Sequence, residues 1–324
     1  MLKRAQYAAS LFVMALVVAA SGCGFGPGET GSFDHTYTVS GPVQLELHNG
    51  SGYAQIRTGS TGQVHVRAEY TAWNSIFEDA EGQLKELNSS SPVEQQGNFV
   101  RVGFSSELLH NVRVNYTIEV PVDTELHAQV GSGDLEVTDI KGPATLHTGS
   151  GRITVRNIQN DASADSGSGS IALADVSGRA SATTGSGTIE LNRVGGEIHA
   201  STGSGRIEMD QVHGRVTART GSGSIQVSGV SDDLRATSSS GSIHVQGNPA
   251  ASSYWQIHTG SGSITLDVPS DAGFRVHAVT HSSSINSDLP LTIEEQGRHE
   301  LRGRVGNGNG SVDLETGSGG IHIR

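Results

Sequence analysis

The chain has 324 residues, of which 33 are acidic and 21 basic; aromatics make up 5%, glycine 44 positions and cysteine one. So few rings cannot fill a core, which must instead come from many small, regular aliphatic contacts of the kind stacked repeats provide. A single cysteine excludes an intrachain disulfide. A formal net charge of −12 without any basic cluster excludes nucleic acid and bare anionic lipid as natural partners.

The chain opens "MLKRAQYAASLFVMALVVAASGC". Lys3 and Arg4 form a basic leader, and Ala5 to Ala20 an apolar run too short for a comfortable membrane span. Ala20-Ser21-Gly22-Cys23 resembles a lipobox, the site at which bacterial lipoproteins are cleaved and acylated on cysteine, with Ala20 where leucine is more usual. The expectation is a signal peptide over 1–22, lipidation of Cys23 and attachment to a membrane through the acyl chains, at about 0.8 kcal/mol per buried CH₂. By resemblance to sorting in Gram-negative bacteria, Gly24 after the cysteine implies the outer membrane rather than the inner one. The stretch 23–32, with "GFGPGETGS", reads as a flexible tether.

Residues 33–130 form an N-terminal β-rich region. The runs "VQLELHN", "YAQIRTG", "VHVRAEY", "FVRVGF" and "VRVNYTIEVPV" alternate as half-buried strands do. One helix is expected at about 75–88, where Ser75 and Glu78 make a capping box and Ile76, Phe77, Ala80, Leu84 and Leu87 share a face.

From 131 to 248 one phrase recurs every eighteen residues. Counting the first glycine of GSG as phase one places it at Gly131, Gly149, Gly167, Gly185, Gly203 and Gly221, with Ser239 next. Phase five is Leu135, Ile153, Ile171, Ile189, Ile207, Ile225 and Ile243, and phase seven is Val137, Val155, Leu173, Leu191, Met209, Val227 and Val245. Phases ten, fourteen and sixteen are also apolar, the last almost entirely alanine. Each unit is therefore two short strands and two turns, with glycine at phases one, three and often twelve marking the corners. One unit cannot bury its own apolar side, but stacked units can, with coils rising about 4.8 Å each. The fold class is all-β: a β-solenoid, right-handed by the crossover rule. Residues 249–324 read as irregular coils and a C-terminal cap, because the phrase returns there only at uneven spacing.

Chemistry is sparse in this pattern. Ser or Thr fills phase eighteen, from Thr148 to Ser238, where corner hydroxyls satisfy backbone groups that the turn leaves unpaired. Calcium-binding nonapeptide repeats need an aspartate ladder, whereas phase six runs Glu136, Thr154, Ala172, Glu190, Glu208, Gln226 and His244. His147, His199, His213, His244 and His258 form no column and no metal-binding motif, so no metal or other cofactor is expected. Glu190 and Glu208 occupy one phase on adjacent coils with Asp210 nearby, the one arrangement with a bearing on acid–base chemistry on a sugar.

The phrase "TGSGxIxV", the preceding "YTIEVPVDTELHAQVGSGDLEV" and the lipobox together resemble the bacterial putative-adhesin family of β-strand-repeat surface lipoproteins, over about residues 33–324. The resemblance implies architecture and an envelope location and supplies no catalytic or binding residues. The functional expectation is a non-enzymatic, lipid-anchored cell-envelope protein presenting a rigid repeat surface to polysaccharide, peptidoglycan or another protein. The alternatives are an envelope-stress sensor or regulatory scaffold, and a carbohydrate-active β-solenoid enzyme.

Overall fold

A computed structural model describes residues 28–73, 82, 85, 92–103 and 112–324. The lipobox with Cys23 lies outside the described residues, as does the expected helix apart from Gly82 and Lys85, both helical.

The described chain forms 29 strands in two sheets, of fourteen and fifteen strands. In the regular part each coil gives its phases five to ten to the first sheet and its phases fourteen to eighteen to the second. The strand Ile189–Val194 lies parallel on Ile171–Val176 and beneath Ile207–Val212, with Ile189 in register with both Ile171 and Ile207. In the second sheet Ala200 lies between Ala182 and Ala218. The periodic residues thus become columns: every phase-five and phase-seven side chain from Leu135 to Val245 is at most 2% exposed. The large aliphatic columns of the first sheet and the alanine column of the second are both buried, so small and large residues share one core.

The stack does not follow chain order at its ends. The coil 43–58 lies in register beneath the coil 124–140, with Leu45 on Leu126 and Ile56 on Val137. Its other side is covered by a later coil, 99–120, with Leu45 on Val100 and Ile56 on Ile118. The chain therefore lays its second coil first, steps outward to make the terminal one, and returns. The C-terminal end repeats the device. The last coil, 310–323, lies between 254–267 and 274–287, with Leu314 between Ile257 and Ala278 and Ile321 between Ile264 and Ile285. Twelve parallel strands in each sheet result, roughly 50 Å of stack. Residues 33–130, read as a β-rich N-terminal region, thus contribute two coils to the stack itself, and 249–324, read as irregular coils and a cap, contribute three. Antiparallel strands close its ends: Gln63–Ala72 and Glu29–Thr38 on the first sheet, Val93–Gln96 and then Glu300–Val305 with Leu291–Gln296 on the second. The strand Glu29–Thr38 begins inside the stretch 23–32 read as tether, because pairing of Glu29–Ser32 with Glu69–Ala72 fixes the backbone despite its glycine-rich composition.

The repeat glycines owe their place to crowding. Those at phases one and three have no left-handed φ. A Cβ on Gly205, however, would fall inside 3.0 Å of the Gly187 carbonyl, and the same holds down the column from Gly133 to Gly241. The turns of successive coils touch backbone to backbone there, and only glycine fits.

Candidate functional site

The phase-eighteen hydroxyls are buried and occupied. Thr202 accepts a hydrogen bond from the Gly205 N–H at 3.1 Å and donates to the Gly187 carbonyl of the coil below, also at 3.1 Å. The same pair of bonds recurs at Thr148, Ser166, Thr184, Thr220 and Ser238. These side chains join coils and are not available to a ligand.

The outward phases of the first sheet carry the accessible chemistry. Glu190 and Glu208 are direct register partners on adjacent strands, and Asn192 and Asp210 are the next outward pair. Arg206 approaches Glu208 at 3.0 Å. Asp210 accepts hydrogen bonds from Asn192 at 3.3 Å and from Ser228. Glu190, Asn192, Glu208, Asp210, Gln226 and Ser228 line a shallow depression of about 390 Å³. It runs on, through Asp210 and Ser228, into a groove of about 640 Å³ reaching Gln246, Asn248, Asp267 and Pro269. The second part opens where the coil lengthens: the register shifts between Ser228 and Val230, and the next repeat of the phrase comes 21 residues after Ser239, at Gly260. Together the two parts cross five consecutive strands, from Ile189–Val194 to Ile264–Asp267, roughly 20 Å along the stack.

At the far end Asp267 is clamped. Arg324 donates to it at 2.6 and 3.2 Å, and His244 lies at 2.7 Å. These hydrogen bonds, that from Arg324 foremost, hold the Asp267 carboxyl below the usual carboxylate range against the opposing effect of burial. His244, expected on an outward phase, is there and engaged in this pair, and His258 is 3.4 Å from Glu315. His147, His199 and His213 stand apart along the stack. Among the described residues no three His, Cys, Asp or Glu side chains converge as metal ligands, and no helix is long and apolar enough to cross a membrane.

Phase nine was missed by sequence reasoning. Asp139, Asn157, Asp175, Arg193 and Gln211 all have φ between 52° and 63°, and Gly229 follows with φ 76°. The left-handed residue lets the strand bulge before its phase-ten side chain turns inward. The signal was present, since aspartate, asparagine and glycine tolerate this conformation best. Arg193 is the bulky member, and it reaches back to Asp175 with bonds of 2.5 and 2.7 Å. That guanidinium holds the Asp175 carboxyl below its usual range. Two buried hydroxyls in the N-terminal coils also escaped notice. Among the described residues Tyr70 and Tyr116 have no hydrogen-bond partner, and burial pushes the Tyr70 hydroxyl up to about 12 and raises that of Tyr116 further.

With this geometry in place, the comparisons with known proteins add the following. No curated protein matches the sequence. A solved structure described as a "putative cell adhesion protein" from Clostridium sporogenes aligns over 90% of this chain and 99% of its own, at 12% identity and a TM-score of 0.17. The family model described as Toastrack DUF4097 matches residues 43–253 and, overlapping, 219–324, a span that holds every strand of the two sheets except Glu29–Thr38. The chain therefore belongs to the Toastrack DUF4097 family.

Proposed function

We propose that this protein is a non-enzymatic, lipid-anchored envelope protein that displays the groove on its first sheet to a polymer: polysaccharide, peptidoglycan or an extended protein segment. The observation that carries this reading is the shape of the groove. It is open, it crosses five strands in succession, and its polar groups recur at the coil spacing, so it suits an extended chain more than a compact small molecule. Gln246 and Asn248 offer amides, and Asp210 and Glu190 offer acceptors, to hydroxyl or peptide groups of such a chain. The acidic lining disfavours polyanions.

The test has two arms. Purified full-length protein is presented with a glycan array and with isolated envelope polymers, beside a Gln246→Ala/Asn248→Ala double variant. Retention of one polymer class, weakened in the variant, supports the reading, and no retention on any polymer defeats it. Turnover of a bound glycan that disappears in Glu208→Gln would transfer the protein to the carbohydrate-active class. For the anchor, a palmitate analogue should label the native chain and not Cys23→Ser; equal labelling removes the lipid anchor from the proposal.

A further inference from the structure

Sheet edges with unpaired N–H and C=O groups invite pairing with other chains, and folded proteins blunt them. Three of the four edges here are blunted. Ile285–Ser287 has three residues and Val93–Gln96 four, including Glu94. Leu291–Gln296 carries Glu294 and Glu295 and a register irregularity between Ile293 and Glu295. The fourth edge, Glu29–Thr38, also carries two acidic residues, Glu29 and Asp34, but it is ten residues long and pairs without a register shift to Gln63–Ala72; it contains no proline and no lysine, and its outer side meets no strand among the described residues. At this end the first sheet runs one strand further than the second, so the edge strand overhangs. One row of its side chains is aromatic: Phe33 and His35 stack at 5.0 Å with planes 4° apart, and His35 lies 5.8 Å from Tyr37. The row lies on the same side as buried Ala68, Val66 and Val64, its register partners, yet His35 is exposed, and among the described residues the second sheet has no strand level with this one, reaching it only through Gln95 at the Thr38 carbonyl.

We propose that this edge is a homodimer interface: two copies pair antiparallel through Glu29–Thr38 about a two-fold axis at His35, joining two stacks end to end. In an antiparallel pair directly opposed residues share a face, so a two-fold axis must set one residue against its own copy. An axis at Asp34 opposes two carboxylates, and this one is held charged by His65 at 2.7 Å. An axis at Phe33 sets His35 against Gly31 and leaves the ring uncovered. An axis at His35 places Phe33 against Tyr37 twice, extending the aromatic row across the joint, and places Thr36, a hydroxyl donor, against Asp34 twice. The proposal is independent of what the groove binds.

The register makes the test specific, because charge at position 36 must act by sign. Full-length protein is extracted from membranes in detergent and its monomer–dimer equilibrium measured by analytical ultracentrifugation. Thr36→Glu, which opposes two like-charge pairs, should weaken the dimer about tenfold, whereas Thr36→Lys should leave it as tight or tighter. Mild oxidation should cross-link His35→Cys into dimers, and the parent chain and Asp34→Cys much less. A chain that stays monomeric at all accessible concentrations overturns the proposal, as does a dimer weakened equally by both charges at position 36. Efficient cross-linking of Phe33→Cys in place of His35→Cys overturns the register. Position 36 is exposed and outward, so both charge variants are expected to fold, which unchanged circular dichroism and melting verify.

Discussion

The middle of the stack and its two ends solve the same packing problem differently. Between 144 and 267 every coil lies on the coil that precedes it in the chain, and each is held by two neighbours. A plain stack would end in coils with one neighbour and a free terminus, which fray first, since stability in such arrays is a sum over neighbouring interfaces. Here the first and last coils of the chain, 43–58 and 310–323, are each inserted between two other coils. The coils left with one neighbour, 99–120 and 274–287, are interior in sequence, tied at both ends and covered by antiparallel strands except at the three-residue edge Ile285–Ser287. Loosening a terminal segment therefore costs two interfaces, and loosening an outer coil requires stripping its cover as well.

The largest expected effect tests the columns of the middle. Ile207 is fully buried between Ile189 and Ile225 in register. Ile207→Asp puts an unpaired carboxylate into that apolar column and should cost roughly 4 kcal/mol or more by chemical denaturation. Arg206, one residue earlier and exposed, should cost about 0.5 kcal/mol when changed to Asp, through loss of its pair with Glu208. Equal damage from both changes would break the inward and outward assignment.

The next contrast sets the crowded turns of the middle against one open turn position in the coil 43–58. Gly205→Ala drives a methyl into the Gly187 carbonyl and should cost about 2–3 kcal/mol by separating two coils. Gly50 is the phase-one glycine of the coil 43–58, equivalent to Gly203, whose Cβ would fall inside 3.0 Å of the Gly185 carbonyl; a Cβ on Gly50 meets nothing within 4 Å, so Gly50→Ala should change stability by about 0.5 kcal/mol or less. Thr202→Val keeps the shape of a bridging side chain but orphans the Gly205 N–H and the Gly187 carbonyl, a loss of about 1–3 kcal/mol.

These residues show what could be read from the sequence and what could not. The columns were legible because an eighteen-residue period puts the same residue type at the same height in every coil, and Ile207 or Thr202 need only their phase to be placed. The coil 43–58 carried the same mark, Gly50-Ser51-Gly52 ahead of Ala54 and Ile56, and was readable as a coil. Its position was not, because a face of Leu45, Leu47 and Ile56 fits any neighbouring column equally well, and only three-dimensional closure decides that 99–120 covers it. The groove was half visible. Glu190, Glu208 and Asp210 stood out as a cluster of carboxylates, but the larger cavity depends on a lengthened coil and a register shift at Ser228, which leave no residue-type signature. Phase nine was overlooked because its residues share a backbone conformation rather than a chemistry.

A smaller effect, confined to the C-terminal end, comes from acid. The Asp267 carboxyl has its folded pKa depressed by Arg324 and His244. A depressed carboxylate contributes stability that is fully present above its unfolded value near 4 and is lost as pH falls through the folded value. Lowering pH from 6 to 3 should therefore shrink the difference in stability between the parent and Arg324→Ala. A difference that stays constant over that range would remove this clamp from the account of how the last coil is held.

The smallest effect returns to the middle and asks whether its left-handed column is strained. Gln211 has φ 53°, where a side chain with a Cβ is disfavoured by about 1 kcal/mol, and no hydrogen bond of its side chain offsets this among the described residues. Arg193, one coil below at the same phase, has φ 52° but recovers energy through its two bonds to Asp175. Gln211→Gly should therefore raise stability by about 0.5 kcal/mol, the relief of strain exceeding the entropy that glycine adds to the unfolded chain. Arg193→Gly should instead lower it slightly, because it gives up the pair as well as the strain. The next coil has already made this exchange at Gly229, with φ 76° and the register irregularity beside the groove. A loss of stability in both variants would mean that the bulge is held without strain and that the residue type at phase nine is set by solvent-facing chemistry.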